Sequence, residues 1–502
     1  KKDIDNLPPL EEYFTKESDL NSEQKIAASC LDENILVLAG AGCGKTKTII
    51  ARAQFLIENH TSAKDVHILT FTRKASAEIV QRVKTNLGEK AEGLKASTFH
   101  TWCMSLIRRS PDLFGCKDYS VIDREDQLSI FRFYRAASKF ANNPEMPRAL
   151  DLLDAYSYTR NVGGTFKQTL EKNHPSSLEL FDEIKKIIIS FEKRKEESKY
   201  LDYDDILEVV ANQIENHPKI RDWVASQQSY LLVDEFQDTN PLQWKLINPL
   251  IYKINLFCVG DDDQSIYAWR GANIENIINF PKEFNSPVVR LTKNYRSNSS
   301  ILEAAACIIS NNKNRLGKDL VSFNEKIPEQ KINLNSFYSQ EEESLWISDN
   351  ISKKFQEDNS IGILVRLTAQ MRSIEDKLIK YALPYEIIGG PRFFERKEIK
   401  DILAYLKLAN SYSDDLSFER VINLPKRGIG DQSVKLIINN ARENKISFFE
   451  SLEVLSNENN LPGSLIVKTK PFIDIIKKTS DLIKKTSLED IGIFIIEESG
   501  YL

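Results

Sequence analysis

Short apolar runs alternate with helical patterns along the first part of the chain. We predict strands at Ile35–Leu38, Val66–Thr70 and Ala96–Phe99. After each of them apolar residues recur at helical spacing, as they do from Lys47 to Glu58. Strands that alternate with helices are typical of parallel β-α-β units. The pattern therefore predicts a first α/β block that runs to about residue 106.

Residues 107–199 show a different pattern, which predicts a helical insertion. Aromatic and charged residues recur there at helical spacing, and Pro144, Pro147 and Pro175 separate the helical stretches. The charged stretch Phe191–Lys199 is interpreted as a solvated helix face. Strands are predicted again at Tyr230–Val233, Leu256–Val259 and Val288–Leu291. The first sheet is therefore expected to continue after the insertion, so that its domain comprises residues 1–106 and 200–291.

A second α/β block is predicted over residues 292–390. Its expected strands are Ile332–Phe337, Ile361–Val365 and Tyr385–Ile388, and its expected helices lie near Glu342–Phe355 and Gln370–Tyr381. From residue 391 to residue 502 the pattern is helical again, which predicts the start of a second insertion. The fold class expected from the whole pattern is α/β, with two parallel sheets.

Composition narrows the class of protein but does not identify a ligand. The 502 residues are 41% hydrophobic and 28% charged, with a formal net charge of −5. No apolar run approaches the ~18 residues that span a bilayer, and no signal-peptide pattern opens the chain. The lack of such a run predicts no membrane partner. The six cysteines form no C-x-x-C pair, which favours a reduced, cytoplasmic location. The net charge neither favours nor excludes nucleic acid, because a basic groove can lie on an acidic protein.

The segment Ala39–Thr46 has the composition of a phosphate-binding loop between a strand and a helix. Its glycines let main-chain N–H groups surround a polyphosphate, and the helix N-terminus adds its positive end. Lys45 is expected to contact the β- and γ-phosphates, and the Thr46 hydroxyl to hold Mg²⁺. The alternative is a glycine-rich turn, which the flanking strand and helix disfavour. The candidate nucleotide-binding residues of this segment and of the position after it are Ala41, Gly42, Cys43, Gly44, Lys45, Thr46 and Lys47.

An acidic pair follows the predicted strand Tyr230–Val233. Asp234 is a candidate magnesium ligand, held directly or through water, and Glu235 is a candidate for polarising the attacking water. Acidic pairs after strands are common, so this pair alone is ambiguous. Its place 189 positions after Lys45 and before Phe236-Gln237-Asp238 favours the catalytic interpretation.

Several segments, taken in order, resemble the UvrD/Rep (PcrA-like) family of superfamily 1 DNA helicases. They are Leu20–Gln24, Ala39–Thr46, Leu69–Thr72, Thr98–His100, Asp234–Asp238, Val259–Gly271, Asn294–Ser297, Ile388–Asp401 and Leu424–Gly430. The resemblance covers nearly the whole chain. It implies two RecA-like P-loop domains, each with a mainly helical insertion, and ATP with Mg²⁺ as cofactors.

The resemblance also implies roles around the nucleotide. Gln24 is expected to contact the adenine edge with its amide, which both donates and accepts; the alternative is an exposed glutamine at a helix start. Tyr295 is expected to stack on the base, and Arg296 to reach the γ-phosphate and stabilise charge in the transition state. Gln264 is expected to lie beside the γ-phosphate and to report its presence to the DNA side. Lys45, Glu235, Gln264 and Arg296 form the candidate catalytic set.

The DNA-binding candidates implied by the resemblance are mostly aromatic: Phe71, His100, Tyr267, Trp269 and Arg270. A ring can stack on any base, since every base has a π-face. The alternative for Tyr267 and Trp269 is an ordinary place in the core. For His100 the alternative is a buried, hydrogen-bonded histidine. The triplet Asp261–Asp263 suggests either a second metal site or a loop that positions Gln264.

The C-terminal part departs from the family pattern. The family carries two further motifs, a glycine-containing segment that grips DNA and a second arginine for the γ-phosphate, and neither pattern occurs here. The stretch Ile496–Leu502 resembles a point inside the second insertion, so the second RecA-like domain looks incomplete. The chain is then a fragment, or a further segment or another polypeptide completes it. We expect this chain to bind ATP but to hydrolyse it poorly.

The sequence favours an ATP-dependent DNA helicase or translocase that moves 3′-to-5′ on single-stranded DNA, in repair, replication or recombination. Its expected partners are single-stranded DNA or a 3′-tailed duplex. The alternative is an ATP-gated DNA-binding subunit of a larger repair or phage-defence complex, with weak unwinding or none. A small-molecule kinase explains neither Tyr267–Arg270 nor the second α/β block. Pathway, preferred DNA structure and oligomeric state stay open.

Overall fold

The computed structural model of the chain describes residues 19–31, 34–323, 331–354, 360–388, 397–458, 460–483 and 485–501. The chain divides into two compact units, Lys1–Asn333 and Leu334–Leu502. The strands are β1 (Asn34–Ala39), β2 (Val66–Leu69), β3 (Lys95–Ser97), β4 (Ser120–Val121), β5 (Tyr200–Leu201), β6 (Tyr230–Val233), β7 (Asn255–Gly260), β8 (Val288–Leu291), β9 (Lys293–Asn294) and β10 (Val321–Ser322).

A six-stranded parallel sheet with the order β3-β2-β6-β7-β1-β8 forms the centre of the first unit. β1 lies inside the sheet, with Leu36 opposite Cys258 of β7 and Val288 of β8. Strands from before and after residues 107–199 therefore form one sheet, which confirms the predicted α/β class. Two short parallel pairs, β4 with β5 and β9 with β10, lie outside it.

The first unit contains thirteen described α-helices, some of which pack on the two faces of this sheet. They are α1 (Ser22–Ser29), α2 (Lys45–Asn59), α3 (Arg73–Leu87), α4 (Phe99–Arg109), α5 (Arg124–Ala137), α6 (Ala149–Val162), α7 (Phe166–Asn173), α8 (Phe181–Glu197), α9 (Tyr203–Asn216), α10 (Pro218–Ala225), α11 (Pro241–Ile247), α12 (Glu275–Glu283) and α13 (Ser299–Ile309). Leu36 and Leu38 of β1 pack into one buried cluster, and Ile35 and Val37 pack into the other. Burial on both faces explains why β1 has an unbroken apolar run.

The region between α4 and β6 is mainly helical, as the sequence predicts. Phe131 packs against Phe191 with ring centroids 4.4 Å apart, and Tyr156 lies 5.4 Å from the Phe191 ring. The ammonium of Lys195 is buried beside the carboxylates of Asp202 and Asp205, at 2.8 and 3.0 Å. Part of the charged stretch at the end of α8 is therefore internal, whereas we predicted a solvated face. The four-domain division itself stays a prediction.

All of the regular secondary structure described in the second unit is helical. Its helices are α14 (Gln340–Lys354), α15 (Met371–Lys380), α16 (Lys397–Asn410), α17 (Asp415–Val421), α18 (Asp431–Asn444), α19 (Phe448–Asn457), α20 (Gly463–Ile483) and α21 (Leu488–Ser499). Tyr405, Phe418, Phe449 and Phe472 are fully buried at its centre. Within the described part of the chain, no helix combines the length and the apolar character that crossing a bilayer requires.

The strands predicted at 332–337, 361–365 and 385–388 were wrong for the described residues. The structure assigns no strand to these segments, and Leu334 and Leu364 are 97% and 100% exposed. The physical reason is that a strand exists only when a neighbour completes its ladder of hydrogen bonds, which an apolar pattern does not reveal. The segment 389–396, part of the family-like stretch Ile388–Asp401, lies outside the described residues.

Candidate functional site

The predicted phosphate loop connects β1 to α2 and depends on two glycines in left-handed conformations. Gly42 has φ +72° and Gly44 has φ +86°, which other residues rarely adopt. A Cβ on Gly42 would lie 2.7 Å from Arg296 Cβ, and one on Gly44 would lie 2.6 Å from Gln24 Nε2. Gly44 caps α2 without a side chain, so the first N–H groups of α2 face the loop. The loop therefore has the shape and the free donors of an anion cradle.

Three successive main-chain carbonyls of this loop accept hydrogen bonds from residues outside the loop. Ala41 O accepts from Asn294 Nδ2 at 2.5 Å, Gly42 O from the Tyr295 N–H at 3.0 Å and Cys43 O from Gln24 Nε2 at 3.0 Å. Because these carbonyls bond outward, the loop's conformation is fixed by segment 293–296 and by α1. The sequence predicted Gln24, Tyr295 and Arg296 near the nucleotide, and the structure brings all three to the loop. Asn294 was missed.

Gln24 lies in the first turn of α1, whose N-cap is Asn21. The two residues form a reciprocal capping box, with Asn21 Oδ1 accepting from the Gln24 N–H at 2.8 Å. Gln24 is 1% exposed, so the alternative of an exposed glutamine is excluded. Asn21 also donates to the Tyr295 hydroxyl at 2.7 Å. The α1 terminus, the loop and Tyr295 thus form one hydrogen-bonded group. Contact of Gln24 with adenine stays a prediction.

The acidic pair follows β6, at the edge of the sheet where β1 also ends. Glu235 has φ +49°, a conformation that is strained for a residue with a Cβ. Its Oε2 lies 3.1 Å from Lys45 Nζ. That ammonium is buried, yet its angles give no hydrogen bond to any described residue. The structure therefore brings the predicted Lys45 and Glu235 together, and the Lys45 ammonium can still donate hydrogen bonds to a ligand.

Around Lys45 and Glu235, carboxylates outnumber positively charged side chains. Burial, together with the charge of Glu235, raises the pKa of Asp234 to about 6. The same causes raise the pKa of Asp238 to about 6, and Asp238 Oδ1 is buried without a hydrogen-bond partner among the described residues. Carboxylate oxygens that resist ionisation for lack of a positive charge are the donor set that Mg²⁺ prefers. The residues fit a divalent cation. Thr46, the further predicted ligand, follows Lys45 in the first turn of α2. Asp238 was not among the predicted ligands.

Gln237 connects the acidic pair to the next loop of the sheet. Its Nε2 donates to Glu235 Oε2 at 2.9 Å, and its Oε1 accepts from the Asp261 N–H at 2.9 Å. Gln237 is 1% exposed. It was missed as a site residue, although an amide between the acids of Asp234–Asp238 was the available signal. The ends of β6 and β7 are therefore tied together.

The acidic triplet after β7 surrounds a lysine. One carboxylate oxygen from each of Asp261, Asp262 and Asp263 lies within 4.8 Å of the other two. Lys318 Nζ lies 2.5, 2.8 and 2.8 Å from them, so an ammonium neutralises the group. Gln264 donates a side-chain hydrogen bond to Asp261. The structure favours the interpretation of a loop that positions Gln264 over that of a second metal site. Lys318 was missed, because it lies 56 positions from Asp262.

Four of the five predicted DNA-binding residues line a cleft of about 330 Å³. Its lining includes Phe71, His100, Tyr267 and Arg270, together with Asp204 and Asp238. Phe71 stacks on Tyr267 with centroids 5.0 Å apart and an interplanar angle of 27°. The structure therefore brings four of the five predicted residues together.

Trp269 lies beside this cleft rather than in its lining. It is 67% exposed, which excludes the core alternative, and its ring is 6.3 Å from that of Tyr267. The Arg270 guanidinium lies 4.7 Å from the Trp269 ring. His100 is half-buried beside Tyr203, and burial and the nearby Arg73 lower its pKa, so it is neutral. Exposed rings with a cation are suited to stacking on bases.

Comparisons with known proteins agree with this geometry. The UvrD/REP helicase N-terminal domain matches residues 20–285, and the UvrD-like helicase C-terminal domain matches residues 289–488. The chain is 32% identical to ATP-dependent DNA helicase PcrA of Bacillus subtilis over 94% of its length. It is 32% identical to PcrA of Staphylococcus aureus and 35% identical to DNA helicase II of Haemophilus influenzae, each over 96% of its length. It spans 66% of the length of each relative. The chain belongs to the UvrD/REP helicase family.

Proposed function

We propose that this chain is the motor part of an ATP-dependent DNA helicase or translocase that moves 3′-to-5′ on single-stranded DNA. The observation that carries the proposal is the position of Asp238. It lines the aromatic cleft, and Gln237 Nε2 donates both to Asp238 at 3.3 Å and to Glu235 at 2.9 Å. Burial and the charge of Glu235, which pairs with Lys45, raise the pKa of Asp238. The candidate nucleotide site and the candidate DNA site therefore share a wall, as a motor that couples them requires.

On the nucleotide side, the roles follow from the contacts around the loop. Lys45, buried and with free donors, binds the β- and γ-phosphates, and Glu235 orients the attacking water. Thr46 and Asp234, with Asp238 beside them, would hold Mg²⁺, and the ion would neutralise charge on the phosphates. Arg296 lies against the loop at Gly42 and supplies a further positive charge. Gln24 and Tyr295 bind the base, and residues 41–47 hold the phosphates.

On the DNA side, the stacked pair Phe71–Tyr267 and the exposed Trp269 present rings to successive bases. Each stacked base contributes roughly 1–3 kcal/mol without sequence preference. Arg270 adds positive charge for the backbone phosphates, and His100 lines the same cleft as a neutral donor or acceptor.

A second function is supported by the second unit. Leu334 and Leu364 are almost wholly exposed in segments that the sequence marks as apolar strands. Ile332, Ile361 and Ile388 of the same segments are exposed as well, and such a concentration of exposed apolar side chains favours a covering segment or partner chain. The alternative is therefore an ATP-gated DNA-binding subunit of a larger repair or phage-defence complex, with weak or no unwinding of its own.

The test measures Mg·ATP hydrolysis by this chain with and without a single-stranded oligonucleotide, and strand separation of duplexes with 3′ or 5′ tails. We expect binding of ATP and of single-stranded DNA, weak DNA-stimulated hydrolysis, and any unwinding to require a 3′ tail. Lys45→Ala is the control and should remove the hydrolysis. Hydrolysis indifferent to Lys45, or unwinding that prefers a 5′ tail, would contradict the proposal.

A further inference from the structure

The ammonium of Lys318 is the anchor of the loop that follows β7. Its side chain is 1% exposed, and its Nζ contacts a carboxylate oxygen from each residue of Asp261–Asp263. Arg315 adds two hydrogen bonds to Asp263, at 2.9 and 2.7 Å, and the Leu316 N–H donates to Asp262 at 2.7 Å. A buried charge that loses its partners is strongly destabilised. The loop and segment 315–318 are therefore fixed to each other.

The same loop is bonded to the nucleotide side. Asp261 donates its N–H to Gln237, and Gln237 donates to Glu235. Glu235 in turn lies 3.1 Å from Lys45. An unbroken series of polar contacts thus runs from the lysine of the phosphate loop to the lysine of segment 315–318.

The loop also leads directly into the aromatic cleft. Gln264 donates to Asp261, and a few residues later Tyr267 stacks on Phe71. The Tyr267 carbonyl accepts from the N–H groups of Arg270 and Ala272, at 2.8 and 3.1 Å, which fixes the turn that presents Trp269. The loop at Asp261 is therefore joined to the rings of the cleft through Gln264 and Tyr267.

We propose that Lys318 is a positioning residue that makes nucleotide binding and single-strand binding depend on each other. The proposal rests on the proposed function, since it takes a nucleoside triphosphate and single-stranded DNA as the two ligands. Two sites are coupled when each ligand binds the conformations of a shared element with different affinity. Here the shared element is loop 261–264, and Lys318 joins it to the segment that follows Arg296 and α13. Without Lys318 the bonds from Arg315 and Leu316 still hold Asp263 and Asp262, but Asp261 loses its contact with this segment, so occupancy of one site no longer biases the other through Asp261.

The test is an equilibrium binding measurement on the full chain. The dissociation constant of a fluorescein-labelled oligo(dT) is measured by anisotropy, without nucleotide and with saturating Mg²⁺ and AMP-PNP, a non-hydrolysable ATP analogue. For the parent we expect the two constants to differ by about 5-fold or more. For Lys318→Met we expect the ratio of these two dissociation constants to lie between about 0.5 and about 2. Each ligand measured alone should bind Lys318→Met within about 3-fold of the parent, because Lys318 contacts neither site directly.

Lys313→Met is the matched control, because Lys313 is an exposed lysine two positions before Arg315. It should keep the parent's ratio. Arg315→Met is the second variant in case Lys318→Met does not fold: Arg315 is 23% exposed and pairs with Asp263. Its ratio should fall at least halfway towards one.

The outcomes separate the inference from the proposed function. A folded Lys318→Met that keeps the parent's ratio overturns the inference, and so does Arg315→Met if it alone folds and keeps that ratio. A parent that binds both ligands with a ratio of one also overturns the inference but leaves the proposed function intact. A parent that binds neither ligand overturns the proposed function.

Discussion

Asn294 donates its side-chain amide to the main-chain carbonyl of Ala41, 253 positions earlier in the chain. The oxygen of the same side chain accepts from the N–H groups of Arg296 and Ser297, at 2.9 and 2.7 Å. Asn294 is 1% exposed, so these bonds form away from water. One side chain therefore fixes the phosphate loop and the backbone of Arg296 relative to each other.

Asn294→Ala should weaken nucleotide binding. The variant leaves the Ala41 carbonyl and two N–H groups without their partner, which costs about 1–3 kcal/mol for each buried group left unpaired. If the loss at Ala41 falls on the nucleotide-binding conformation, affinity drops roughly 5- to 150-fold. Titration of a fluorescent ATP analogue measures the affinity, and the nucleotide-induced rise in melting temperature should shrink in parallel.

Asn298→Ala is the matched control for Asn294. Asn298 is also buried, and its Oδ1 caps α13 by accepting from the Ile301 N–H at 3.1 Å. Its replacement should lower the melting temperature but keep the nucleotide affinity. If both variants bind nucleotide as the parent does, Asn294 has only a structural role.

Glu235→Gln should separate binding from hydrolysis. The amide has the shape of the carboxylate, so the strained backbone is kept, but it cannot polarise water as a base does. Hydrolysis should fall by about 10²–10⁴-fold while Mg·ATP still binds. Single-turnover hydrolysis and nucleotide titration distinguish the two steps. A collapse of nucleotide affinity would show instead that Glu235 is a binding residue.

Trp269→Ala should weaken single-strand binding without unfolding the protein. Its ring is largely exposed, so little core packing is lost, whereas a stacked base contributes roughly 1–3 kcal/mol. Tyr252→Ala, at an aromatic residue that is 86% exposed outside the cleft, is the control and should bind DNA as the parent does. Anisotropy titrations at several salt concentrations provide the measurement. Equal affinities for both variants would remove Trp269 from the DNA site.

Asp238→Asn should stabilise the metal-free protein at high pH. The pKa of Asp238 is raised to about 6, above its ordinary value of 3.8, so its ionised form destabilises the fold above pH 6. As pH falls through 6 the folded protein takes up the proton first, and the penalty is gone near pH 4. Because the group is half-buried, we expect a gain of about 1–2 kcal/mol at pH 8 and little at pH 4. Urea unfolding of variant and parent in EDTA, at both pH values, measures this difference in the free energy of unfolding.

Asp263→Asn provides a control of opposite sign. Although burial opposes its ionisation, hydrogen bonds from Arg315 and Lys318 lower the pKa of Asp263. Its ionised form therefore stabilises the fold, and the variant should be less stable at pH 8, with the difference fading as pH falls below the ordinary value for an aspartate. A gain for Asp263→Asn at pH 8 would contradict this assignment of charges.

The features that the sequence alone predicted are those that depend on consecutive residues. The apolar run of β1, the glycines that follow it and Lys45 are contiguous, so strand, loop and helix start can be read together. The acidic pair is likewise adjacent to the run of β6. The α/β class and the family are confirmed, whereas the roles of the individual site residues stay predictions.

The features that sequence missed depend on distant partners. Asn294 lies in the family-like segment Asn294–Ser297, but that segment does not reveal its bond to Ala41, and Lys318 belongs to no recognised segment. Each acquires its role by meeting Ala41 or the triplet Asp261–Asp263 in the folded chain. The strands wrongly predicted in the second unit fail for the same reason, because an apolar run does not say whether a neighbouring strand exists.

The interior position of β1 has a consequence for the order of synthesis. Its neighbours β7 and β8 are encoded far downstream: Leu36 pairs with Cys258 and Val288, 222 and 252 positions later. At ~5–20 residues per second, a ribosome needs on the order of 10–50 s to make that stretch. During this interval the strand that carries the phosphate loop has no ladder partner and exposes its apolar residues in the nascent chain. Capture of the young polypeptide by a chaperone, and aggregation when translation stalls before residue 288, are therefore expected to centre on Ile35–Leu38.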